Sequence, residues 1–209
     1  MNQVYPVLPL YNMVMFPSLS TTIQTNDPYV HALLSDISRS NGEFVTSLMV
    51  REGDYFHQTG CLVQLEEMES GEHGLIQLSI RGLRKFFIEG CPTTTPVVYG
   101  QGQFLQDYYE NRHSANSLSI QLSKLLKRYI FLANASPESM LQAVAFITDP
   151  NILSHFCANY FLEDPFAKQD ILQTLNIDRR LRQMIEHMEE KIQIKAREQH
   201  TSGPQTHVF

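Results

Sequence analysis

The chain has 209 residues, 43% of them apolar, and 22 acidic side chains against 16 Lys and Arg leave a formal charge of −6. That length holds one large domain or two small ones, and the apolar content supplies an ordinary core, which excludes a disordered chain. The acidic balance offers phosphate backbones no net attraction and argues against generic nucleic-acid binding. Cys61, Cys91 and Cys157 are odd in number and widely spaced, so no disulfide framework is expected and a reducing, cytoplasmic compartment is the natural setting. No run of about 18 apolar residues occurs, and Pro6, Pro9 and Pro17 interrupt the start, so neither a membrane span nor a signal peptide is expected.

Up to about residue 110, short apolar runs are bounded by Gly, Pro and Asn, the pattern of strands. In chain order they are Val4–Leu10, Ser18–Thr25, Phe44–Val50, Cys61–Met68, Leu75–Ile80, Lys85–Glu89 and Val97–Leu105. The connector Glu69–Gly74 contains two glycines, which allow the positive φ angles of a tight reversal. One helix interrupts the strands at Pro28–Arg39, with Asp27 as cap and Pro28 in its first turn. After residue 113 the period changes. Leu118, Leu122, Leu125, Leu126, Tyr129, Ile130 and Ala133 fall on one face of a long helix. Ser136-Pro137, Asp149-Pro150 and Asp164-Pro165 then repeat one start signal, a capping oxygen before a proline. The last helix, from Ile177 to about Gln199, carries Ile177, Leu181, Met184, Ile185, Met188 and Ile192 on a single stripe. The expectation is an α+β fold: a β-rich part over 1–110, a helical bundle of four or five helices over 111–200, and a flexible tail over 201–209.

Several stretches belong together. Tyr5-Pro6-Val7-Leu8-Pro9-Leu10 is followed by Met13-Val14-Met15-Phe16-Pro17, and later come Gly60-Cys61-Leu62-Val63 and Ile80-Arg81-Gly82-Leu83-Arg84-Lys85. Further on stand Ile147-Thr148-Asp149-Pro150, Lys168-Gln169-Asp170-Ile171-Leu172 and Ile177-Asp178-Arg179-Arg180-Leu181. In this order and spacing the chain resembles the amino-terminal, substrate-binding domain of the Lon protease family. The resemblance implies a small PUA-like β pseudo-barrel followed by a helical bundle with a long last helix. It also implies a glycine-centred turn between two strands at Gly82. Recognition of polypeptide substrates or partner proteins is the implied function. The sequence has no G-x-x-x-x-G-K-[ST] and no counterpart of the serine–lysine peptidase segment. The reading is therefore a free-standing, non-catalytic binder, an adaptor or chaperone-like protein. The alternatives are an amino-terminal fragment of an ATP-dependent Lon-type serine protease, and a PUA-like barrel that binds a small molecule or RNA.

Ser123 and Lys127 are one helical turn apart, but activating a serine also requires a desolvated lysine and an oxyanion hole, so a solvated face is expected there. His155 with Cys157, and His57 with Cys61, lack a second pair of ligands, so no metal and no cofactor are expected. Arg81, Arg84 and Lys85 form a basic cluster whose ordinary use is a solvated rim. A domain that grips unfolded chains needs adaptable apolar surface, and methionine suits it. Met13, Met15 and Phe16, with Tyr29 and Val30 on the short helix, are the candidate protein-binding residues. Core packing is the competing reading, favoured for Val14 and Phe16.

Overall fold

A computed structural model describes residues 2–37, 41–49, 55–93, 96–133 and 138–201. The chain divides into two compact units: one takes residues up to Asp107 together with Ala158–Leu175, the other Tyr108–Cys157 together with the chain from Asn176 onward.

The first unit is built on six strands: β1 (Gln3–Tyr11), β2 (Ser20–Thr25), β3 (Glu43–Met49), β4 (Thr59–Ser70), β5 (Ile76–Thr93) and β6 (Tyr99–Leu105). They make one mixed sheet in the order β2-β5-β4-β3-β1-β6, and β5 also pairs with β6, which curls the sheet. β1 and β3 run parallel, with Val7 opposite Val45 and Tyr11 opposite Met49. The helix α1 (Pro28–Ile37) supplies the crossover between them that a parallel pair requires. Asp27 caps α1 as expected, its Oδ1 accepting the Tyr29 N–H at 2.8 Å. The expected end of this helix at Arg39 lies outside the described residues.

Both faces of the curled sheet are covered. Leu8, Leu10, Phe44, Cys61, Val63, Leu78 and Ile80 pack with Val30, Leu33 and Ile37 of α1. Their neighbours Val7, Val45, Leu62, Phe86 and Ile88 form a second cluster. This double burial explains why Val7-Leu8, Phe44-Val45 and Leu62-Val63 are apolar runs rather than alternations.

Two sequence expectations need correcting. Leu75–Ile80 and Lys85–Glu89 belong to one strand of 18 residues, and no turn occurs at Gly82. A register shift instead sets Val63 opposite Gly82 and Leu62 opposite Arg84, so the residue between is a bulge. Gly82 is there because another backbone passes over it: a Cβ would lie 2.0 Å from the Phe16 carbonyl oxygen. The second correction concerns the connector before β5. Gly74 has φ +77°, but the other positive φ there belongs to His73, at 57°, while Gly71 is extended.

Five helices follow: α2 (Arg112–Ala133), α3 (Glu138–Phe146), α4 (Pro150–Phe161), α5 (Pro165–Gln173) and α6 (Ile177–Thr201). Asp149 and Asp164 act as the expected caps. Asp149 Oδ1 accepts from Asn151 N at 2.7 Å, and Asp164 Oδ1 accepts from Phe166 N at 3.1 Å. The Ser136-Pro137 signal lies outside the described residues, as does the expected tail over 201–209 except for Thr201, which ends α6.

In the second unit α2 packs against α6. Leu122, Leu126 and Ile130 are buried on α2, and all six stripe residues are buried on α6. Two buried charged residues of α6 bind locally. The Arg180 guanidinium donates to Ser154 Oγ at 2.8 Å and also to Asn151 Oδ1. Asp178 accepts the backbone N–H of Glu110 at 3.0 Å.

Candidate functional site

Two concavities in the first unit are concrete candidates. The first is a groove of about 650 Å³ whose walls include Pro9 and Tyr11 of β1, Met13, Ile23 and Thr25 of β2, and Val30 of α1. Its geometry follows from the sheet. β2 is a terminal strand, bonded only to β5. β1 pairs with β6 only over Gln3–Pro6. Val7 N–H donates to Val98 O at 2.8 Å, and Asn12 N–H donates to Met49 O at 3.0 Å. Backbone direction alternates along a strand, so the polar groups of Pro9 and Tyr11 face away from β3. Pro9, which has no N–H, therefore sits on an open edge, where a proline costs no ladder bond.

The five residues singled out from sequence have different places: Met13, Met15, Tyr29 and Val30 share the cluster beneath this groove, whereas the Phe16 backbone lies over Gly82. Met13 and Val30 line it. Met15 is 4% exposed, Phe16 0% and Val30 3%, so the bulk of these side chains belongs to the core. Tyr29 fills a gap in the sheet. Its hydroxyl donates to Val7 O at 2.6 Å and accepts the Val98 N–H at 3.1 Å. Burial raises its pKa, the Val98 N–H lowers it, and Asp27 raises it. The apolar surface left at the groove is that of Met13, Ile23 and their neighbours, and Tyr11 beside them is 61% exposed.

The second concavity, of about 620 Å³, includes Tyr5, Glu43, Leu62, Leu83, Arg84 and Phe104 in its lining. It opens above the cluster of Val7, Val45, Leu62, Phe86 and Ile88, and Tyr5, Leu83 and Phe104 pack on that cluster. Two rings, Tyr5 and Phe104, line it, and the buried Phe86 ring packs against both, 5.5 Å from Tyr5 and 5.6 Å from Phe104, each edge to face. The Arg84 guanidinium stands 5.3 Å over the Phe104 ring. Tyr5 titrates above its ordinary range, chiefly through burial and next through the Glu43 carboxylate, with Arg84 pulling the other way. Nothing in the sequence marked this cavity, because its lining comes from five strands far apart in the chain.

The basic cluster is a solvated rim at Arg81 and Arg84, which are exposed, but not at Lys85. Arg81 pairs with Glu66 at 2.6 Å, while Arg84 covers Phe104. Lys85 is 2% exposed, its Nζ 2.7 Å from Asp107 Oδ1 and 3.2 Å from Thr174 O. Its strand position makes the reason plain: the stem of Lys85 points into the fold, and a carboxylate and a carbonyl meet its charge there. Ser123 and Lys127 line a shallow groove of about 550 Å³ on α2, and no hydrogen bond joins them among the described ones. Cys61 is fully buried, and burial first of all pushes its thiol up to about 12. Among the described residues no group of three or more His, Cys, Asp or Glu could hold a metal ion. No helix among them is long and apolar enough to cross a membrane.

Residues 4–190 match the family profile of the ATP-dependent protease La (LON) substrate-binding domain. The chain belongs to this family. Its fold is that of Lon amino-terminal domains. The N-terminal domain of the Mycobacterium avium complex Lon protease superposes with a TM-score of 0.77 at 18% identity, over 90% of this chain and 99% of that one. A Lon N-terminal domain protein from Xanthomonas campestris gives 0.63 at 18% identity, over 88% and 97%. Among curated relatives, Lon protease 2 of Herpetosiphon aurantiacus is 20% identical over 93% of this chain and 25% of its own length. Lon protease of Roseiflexus castenholzii is 21% identical over 99% and 27%. The chain thus spans about a quarter of the length of these relatives. The stretches that carried the Lon resemblance now have physical roles. Asp149 caps α4, Gln169 donates to Thr59 O at 2.8 Å, and Asp178 and Arg180 satisfy buried polar partners.

Proposed function

We propose that this Lon-family domain recognises unfolded polypeptide segments, or partner proteins that present one, and acts as an adaptor or chaperone-like binder that breaks no bond itself. The observation that supports this is the groove between β1 and β2, where open strand edges and apolar side chains occur together. An extended segment laid there would bond to unpaired backbone groups of either edge and set alternate side chains against Met13 and Ile23. Met15 and Tyr29, packed in the cluster beneath the groove, would hold the walls from behind. Backbone bonding is indifferent to side-chain identity, and methionine repacks against varied partners, so breadth rather than selectivity follows. Ordering an unfolded chain costs enough to hold affinity to about the micromolar range. A cytoplasmic setting suits the three unpaired thiols.

The test is binding of a permanently unfolded, reduced and carboxymethylated protein, followed by fluorescence anisotropy. Met13→Glu places a charge in the groove and is expected to weaken binding about fivefold or more. Unchanged affinity in a folded Met13→Glu protein rejects the groove as the contact. Hydrolysis of the unfolded probe by the purified chain, abolished when the chain is removed, would overturn the non-catalytic reading.

A further inference from the structure

We propose that the cavity above the Val7–Phe86 cluster binds the carboxyl terminus of a polypeptide whose last residue is aromatic or large and apolar. This rests on the reading of the chain as a polypeptide binder, and adds a second, separate subsite to it. Three observations converge on that ligand.

The floor is apolar and aromatic. Leu62, Leu83, Phe104 and Tyr5 line it, and the Phe86 ring closes it from below. A ring or a branched side chain entering the mouth would find edge-to-face partners there.

The wall carries a cation that no carboxylate among the described residues holds. Arg81 is paired with Glu66, whereas the Arg84 guanidinium stands 5.3 Å over the Phe104 ring. Arg84 is exposed, so its N–H groups can be reached by a ligand. A guanidinium is the fork that matches a carboxylate with two parallel hydrogen bonds.

Glu43 completes the set. Glu43 lines the same cavity, and among the described residues its carboxylate has no hydrogen-bond or ion-pair partner. Glu43 and Arg84 line the same cavity as Tyr5 and act on its hydroxyl with opposite sign. A chain end presents the matching groups on a single residue: an α-carboxylate for Arg84, a backbone N–H for Glu43, and a side chain for the aromatic floor. A simple organic acid lacks the N–H, and an internal segment lacks the carboxylate. The terminal residue fits all three.

The experiment uses a fluorescein-labelled hexapeptide ending in phenylalanine, with a free or an amidated carboxyl group, titrated by anisotropy against the full chain. The free acid is expected to bind about tenfold or more tightly than the amide. Arg84→Gln should reduce the acid to the level of the amide and leave the amide unchanged. Arg84→Lys, which keeps the charge and loses the fork, should recover only part of the difference. Thermal melts establish that both variants are folded. Labelled 3-phenylpropionate, which has no N–H, should bind more weakly than the acid peptide. Equal binding of acid and amide, or an Arg84→Gln protein that still prefers the acid, overturns the proposal. The two readings fail separately: Met13→Glu should spare the acid peptide, and Arg84→Gln should spare the internal segments of an unfolded probe.

Discussion

Lys85 shows how a single residue can be misjudged from its neighbours in sequence. Between Arg84 and Phe86 it looks like one more rim charge, yet its side chain is 1% exposed and pairs with Asp107, itself 11% exposed. Burying an ammonium is tolerable only while its oxygen partners stay in place. Asp107→Ala is therefore expected to cost about 3–5 kcal/mol, read as a lowered urea midpoint. The double change Lys85→Met with Asp107→Leu should restore much of that loss, since no buried charge is then left uncompensated. Phe16 was more transparent: a phenylalanine between Met15 and Pro17 invited a core assignment as well as a surface one, and it is fully buried. Met13 and Met15, two residues apart, split between groove and core.

At the scale of elements, local chemistry was legible and distant approach was not. Asp27, Asp149 and Asp164 each cap the helix that the residue pattern assigned to them. The α6 stripe of Ile177 to Ile192 is buried residue by residue, because a 3.6 period over about four turns leaves little choice of face. Gly82 misled for a reason that no local pattern carries. Glycine between charged residues has the composition of a turn, but here it marks where the Phe16–Leu19 backbone crosses β5. Ser18 N–H donates to Gly82 O at 2.9 Å, and Gly82 N–H donates to Leu19 O at 2.8 Å. Gly82→Ala should accordingly destabilise by about 2 kcal/mol or more, since the obstacle is backbone that cannot rotate aside. Gly90→Ala, in the same strand with nothing within 4 Å of the new methyl, should stay within about 0.5 kcal/mol. The two midpoints in one denaturant series check both statements. The aromatic cavity was illegible for a related reason: Tyr5, Glu43, Arg84 and Phe104 become neighbours only once four strands have paired.

At the scale of the whole molecule, the change of period near residue 110 is real, but the chain does not stay on one side of it. Residues 158–175 return to the sheet-containing unit. Two hydrogen bonds show what that return supplies: Gln169 of α5 reaches Thr59 O at 2.8 Å, and Thr174 O accepts from Lys85. A stretch that reads only as bundle helix in sequence thus completes the seating of a buried lysine and of the first residue of β4.

The interleaving of the two units has a consequence for biosynthesis. Once the first 110 residues have emerged from a ribosome every strand is exposed, yet Gln169 and Thr174 are still to come, so the sheet is expected to wait for them. Chains stalled where residue 110 has emerged but residue 158 has not should be cut rapidly by a pulse of protease, and those stalled far enough beyond 175 for that segment to emerge should resist. Equal resistance at both lengths would mean that the strands close without their returning helix.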